Sequence, residues 1–190
     1  MNRKASLCVA AVFGLLVLPG ISFGQATRWQ ADHDAGWNAY KQGQFAEAES
    51  RLRAAEKEAQ AFGQNDPRLA TTLDHLAWVL CAEGKGSEAE SLAKRALSIR
   101  EKAGAESPDV VKSLNTLACI YDMQGKAAEA KPLYERCLAA VEKTQGAASP
   151  GVAAVLDNLA TVQHVLGQND EAEATFLHRA GAWNLSTFAF

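Results

Sequence analysis

Cysteine and histidine are both scarce in this chain, four of each in 190 residues, and methionine occurs only twice. None of His33, His75, His164 and His178 stands at zinc-type spacing to another histidine or to a cysteine, so no metal-ligand set is expected. An excess of basic residues is lacking too. Nineteen Lys and Arg face twenty-two Asp and Glu, without a basic cluster or stripe, which argues against nucleic acid as a partner. Beyond the amino terminus no apolar run is long enough to span a bilayer. The fragment Gly84-Lys85-Gly86-Ser87 lacks the earlier glycine and the preceding strand of a phosphate-binding loop, and reads as a turn. No Ser/His/Asp or Cys/His arrangement stands out, so the chain is read as non-catalytic and without a cofactor. What is present is ordinary globular material, 48% hydrophobic and 22% charged.

The one long apolar run lies at the start, where Asn2-Arg3-Lys4 precede Ala5 to Leu18 and then Pro19-Gly20. Small residues at Ser22, Gly24 and Ala26 offer a cleavage point, completing the layout of a secretory signal peptide over residues 1–24. The other reading is an uncleaved anchor, although the run is short and broken at Pro19. Cleavage removes two basic residues and leaves 17 against 22 acidic ones. The mature chain is then expected to be exported, periplasmic or secreted, with no membrane span.

From there the sequence repeats itself. TLDHLA begins at Thr72, SLNTLA at Ser113 and VLDNLA at Val155, and the same intervals carry Gly84 to Gly125 to Gly167 and Pro67 to Pro108 to Pro150. A period of this length marks stacked supersecondary units, each unable to bury its apolar face alone. Each unit reads as a helix pair. Asp66, Ser107 and Ser149 precede a proline at the first helical position, a pairing that caps a helix and wastes no amide hydrogen. Ser87 and Glu90 have the spacing of a capping box for the second helix of their pair. Ala77, Ala118 and Ala160, with Ala89, Ala130 and Ala172, recur where two helices of a pair must approach closely.

With LDHLA, LNTLA and LDNLA, the turn glycines, and the segments Glu88 to Gly104 and Glu129 to Lys143, the pattern resembles tetratricopeptide repeats of the longer kinesin-light-chain variety. The resemblance implies an all-α fold, a right-handed α-solenoid of about four helix-turn-helix repeats over 25–182. Their approximate bounds are 30–66, 67–107, 108–149 and 150–182. It further implies that the first helix of each pair lines a concave groove that holds another protein or an extended peptide. Carried over to this chain, the groove positions are His33, Trp37 and Tyr40, then Asp74 and Trp78, then Lys112, Asn115 and Asp122, then Asp157, Thr161 and His164. Asp74 and Asp157 stand where relatives often show asparagine, which tilts the groove acidic and favours a basic or neutral ligand. Packing between repeats is the alternative role for Trp37 and Trp78.

Both ends depart from the pattern. The first pair has Asp32 and Ala35 where later copies have leucines, and loose packing is expected there. The aromatic tail 183–190, with Trp183, Phe188 and Phe190, reads as a cap, as an interaction tail that joins copies into a homo-oligomer, or as the mark of a truncated chain. Cys137 replaces Ala96 of the previous repeat and is expected to be buried. A Cys81–Cys119 disulfide requires alpha carbons closer than roughly 7 Å.

Overall fold

The computed structural model describes residues 23–104, 107–147 and 149–187, with side chains from Gly24 to Ala180. Eight helices and no strand occur among the described residues: α1 (Phe23–Lys41), α2 (Phe45–Gln60), α3 (Pro67–Ala82), α4 (Gly86–Ala103), α5 (Pro108–Met123), α6 (Ala127–Gln145), α7 (Pro150–Val165) and α8 (Asn169–Thr187). Residues 1–22 of the stretch 1–24 expected to be a signal peptide, the side chain of Trp183, and Phe188 and Phe190 lie outside what is described. Each helix packs on the next in sequence, so the four pairs stack as an α-solenoid.

The expected starts of the first helices form as read. Asp66 accepts from the Arg68 backbone N–H at 2.9 Å, and Ser107 and Ser149 accept from Val110 and Val152, each just ahead of a proline. The capping box at Ser87 does not form. Helix α4 begins at Gly86, which places Ser87 inside the first turn, and Glu90 instead reaches Lys126 at 2.8 Å and Lys94 at 2.6 Å. The turns within the four pairs pass through Gly43, Gly84, Gly125 and Gly167 at φ between 71° and 77°, a left-handed conformation that disfavours a side chain.

Burial follows the repeat. Ala77, Ala118 and Ala160 are fully covered, as are Ala89 and Ala130, so the helices of a pair meet where the small residues permit it. Each of α3, α5 and α7 also approaches the first helix of the preceding pair closely along its backbone, whereas the second helices reach one another through long side chains, as in Arg53–Glu88 at 2.8 Å and Arg136–Glu101 at 2.7 Å. The stack is therefore shorter along its first helices, and these line the concave side.

The first pair is not loose. In place of leucines, α1 uses rings: Trp29, His33, Trp37 and Tyr40 lean on one another and on His75 of α3. Helix α1 also starts ahead of the bound expected near residue 30, and there Trp29 packs beside Leu69, Ala70 and Leu73 and donates its indole N–H to Thr72 Oγ1 at 2.9 Å. Asp32 is half-buried and accepts from Arg51 at 3.2 Å. Cys81, Cys119 and Cys137 are all free thiols, so the considered disulfide is not formed. Cys137 is fully buried as expected, and burial pushes its thiol up to about 11.

Candidate binding groove

Three consecutive inner helices, α1, α3 and α5, enclose a cavity of about 480 Å³ on the concave side. Its wall includes Trp37, Asp74, Trp78, Lys112 and Asn115, five of the eleven residues expected from sequence. A volume of this size suits a few side chains of a bound segment, within the usual range of ligand pockets. Tyr40 stands one ring away, stacked on Trp37 at 4.9 Å. The other expected residues lie further along or beneath the surface. His33 is buried at 7% exposure, between Trp29 and His75. Asp122 is half-buried on α5. Asp157 pairs with Arg179 of α8 at 2.9 Å, Thr161 donates to the Asp157 carbonyl at 2.9 Å, and exposed His164 meets Asn169 at 2.9 Å.

The cavity also has a wall the sequence did not announce: His75, Thr71, Thr116 and Arg100. Arg100 comes from the outer helix α4 and is 6% exposed. Its guanidinium donates to Asp74 Oδ2, to Ser113 Oγ at 2.5 Å and to Thr71 Oγ1 at 3.1 Å, while Ser113 Oγ donates to Asp74 Oδ2 at 2.9 Å. Helices α3, α4 and α5 are thereby tied by one buried polar cluster. A signal for it existed in the repeat. Arg100 stands at a register where the neighbouring copies carry Ala59 and Val141, and a charge at an apolar register needs a buried counter-charge.

Electrostatics at this wall differ from the acidic tilt expected. Burial of Asp74 pushes its carboxyl up to about 6 against the pull of Arg100 and Ser113. Burial likewise lowers His75 to about 3, with the nearby His33 and Arg100 adding to the effect. The carboxylate of Asp74 is matched by Arg100, that of Asp157 faces Arg179, and the exposed charge at the cavity is Lys112, which also reaches Asp109 at 2.9 Å. Asp74 Oδ1 and His75 Nδ1 are buried without a hydrogen-bond partner among the described residues. Neither indole N–H of Trp37 and Trp78 has such a partner either, whereas Trp29 has one.

No cluster of three or more His, Cys, Asp or Glu side chains is placed to hold a metal among the described residues. No helix there is long and apolar enough to cross a membrane.

No curated protein matches the chain by sequence. Among solved structures, TPR-like repeats of the kinesin light chain type from Podosopora anserina superpose with a TM-score of 0.73 at 25% identity, over 85% of this chain and 77% of that one. BtubC (BKLC) from P. vanneervenii gives 0.71 at 23% identity, over 85% and 71%. A Rap protein solved with Competence and Sporulation Factor gives 0.68 at 20% identity, over 85% of this chain and 44% of that one. A family model described as tetratricopeptide repeat matches residues 31–102, 68–143 and 123–179, overlapping segments that run through all four helix pairs. The chain belongs to the tetratricopeptide-repeat family.

Proposed function

We propose that this protein is an exported, non-catalytic scaffold that holds another protein, or an extended peptide segment of it, along its concave face. The observation that carries the reading is the cavity between α1, α3 and α5, where two half-buried tryptophans meet Lys112 and Asn115 on a wall braced from behind by Arg100. Tryptophan anchors and adaptable amides are what a peptide-binding face uses, since they bury area at small entropic cost. The similarity to a Rap protein solved with Competence and Sporulation Factor supports a repeat stack of this shape as a holder of other molecules. Export rests on the charged, apolar and small-residue layout of residues 1–24.

Affinity capture after crosslinking in the native host tests this, comparing wild type with a Trp78→Ala, Asn115→Ala double variant of unchanged helicity. Recovery of one partner by wild type and its loss from the variant is the expected result. Equal recovery by both moves the binding face away from the groove.

A second reading is self-assembly through the last helix pair. It is favoured by Val165 and Leu177, exposed at 63% and 67%, and by Phe176 at 42%, whereas the repeat equivalent of Phe176, Tyr134, is covered. Sedimentation across a concentration series checks it: a mass that stays monomeric removes this reading.

A further inference from the structure

The groove wall contains a polar group left unanswered by the fold itself. Asp74 is 4% exposed and lines the cavity; its Oδ2 is saturated by Arg100 and Ser113, but its Oδ1 has no partner among the described residues. The next residue, His75, also lines the cavity and carries an unpartnered buried Nδ1. Native proteins leave few such atoms unpaired, so an occupant that donates hydrogen bonds is implied at this point. Resting on the groove reading above, we infer that this cavity is a subsite for an uncharged amide side chain, Asn or Gln, of the bound segment.

The choice among donors follows from charge and shape. A cationic side chain would approach Asp74 only beside Arg100 and Lys112, both positive. An anionic one would bring a second carboxylate against a carboxylate already taken out of water. An apolar one would fill space and leave Oδ1 unpaired, the costly outcome for a buried acceptor. A primary amide answers all three conditions, because it carries two N–H donors, one carbonyl acceptor and no charge. Its N–H serves Asp74 Oδ1. Its carbonyl has the Asn115 amide and the unpartnered indole N–H groups of Trp37 and Trp78 as donors on the same wall.

The test is a set of acetylated, amidated ten-residue peptide pools at pH 7.5, with flanks randomised and one central position fixed as Gln, Asn, Leu, Glu or Lys. Direct titration of each pool against full wild-type protein should give Gln or Asn pools about tenfold tighter than the Leu, Glu and Lys pools, the scale of one buried hydrogen bond. A Trp78→Ala variant should weaken all pools. An Asp74→Leu, Arg100→Met double variant, which replaces the buried pair by apolar groups of similar bulk, should bind the pools without that preference. Equal binding of all pools by wild type overturns the amide subsite while the groove reading stands, as does a preference that survives in the double variant. If no pool binds wild type at all, the subsite and the groove fall together. Should the double variant fail to fold, the wild-type pool ranking alone decides.

Discussion

The junction between the second and third repeats and the junction between the third and fourth are built at equivalent positions from opposite chemistry. At the first, Arg100, Asp74 and Ser113 form a buried hydrogen-bonded cluster. At the second, the equivalents are Val141, Asn115 and Val155; both valines are buried and Asn115 is half-buried, taking only a long 3.5 Å contact from Asn158. The same backbone thus accepts an ionic or an apolar filling. What differs is the consequence for the inner surface: Arg100 pins its aspartate to the wall, whereas Asn115 stays at the cavity with its amide group available. An aspartate and an asparagine at one register are therefore not two versions of one ligand contact, and the apparent acidity of the groove disappears at this wall.

The largest way to break the comparison is to remove one partner of the buried pair. Asp74→Ala leaves Arg100 uncompensated and should cost about 3–5 kcal/mol in denaturant unfolding, while Asp74→Leu with Arg100→Met should be close to neutral or stabilising. Similar losses for the single and double changes would mean the cluster is not a pair in this sense.

Acid separates the two neighbours Asp74 and His75 by sign. His75 has its folded value depressed to about 3, so its contribution is present above the ordinary histidine value near 6.5 and is lost as pH falls toward 3. Asp74 is raised to about 6, so stability is regained as pH falls from about 6 toward the ordinary carboxylate value near 3.8. The two trends oppose each other in wild type. His75→Phe keeps a ring between His33 and Trp37 and removes only the first trend. Between pH 7 and 4.5 the variant should gain roughly 2–3 kcal/mol on wild type, at about 1.4 kcal/mol for each pH step below the ordinary histidine value. Parallel pH profiles of melting would contradict this account of the wall.

Ala130→Leu forces bulk into the fully buried contact between α5 and α6, and should cost about 1–3 kcal/mol through overpacking. Asn115→Ala, at the same register as Asp74, should change stability by no more than about 0.5 kcal/mol. The contrast between Asp74 and Asn115 in thermal melts sharpens the comparison most cheaply.

The stack itself is legible because its determinants are local and recur. A proline after Asp66, Ser107 and Ser149, a glycine in each turn and alanines at each helix contact are readable one repeat at a time, and they place the starts of α3, α5 and α7. The groove is half legible. Position along the repeat brings Trp37, Trp78, Lys112 and Asn115 to one cavity, but the ring ladder of α1 reads as weak packing, since Trp, His and Tyr replace leucines at other positions on the helix. Arg100 escapes a reading of the inner helices because it belongs to an outer helix and acts inward. Only comparison with Ala59 and Val141 marks it, and the consequence for Asp74 depends on a side chain reaching across twenty-six residues.

The central claim is that partners bind the concave face. A photo-crosslinking residue placed at Lys112, exposed at the cavity, and in parallel at Glu129, exposed on the outer helix α6, tests it in the native host. A partner adduct formed from position 112 and absent from position 129 is the result predicted. An adduct from position 129 alone would place the binding face on the outer helices and contradict the account.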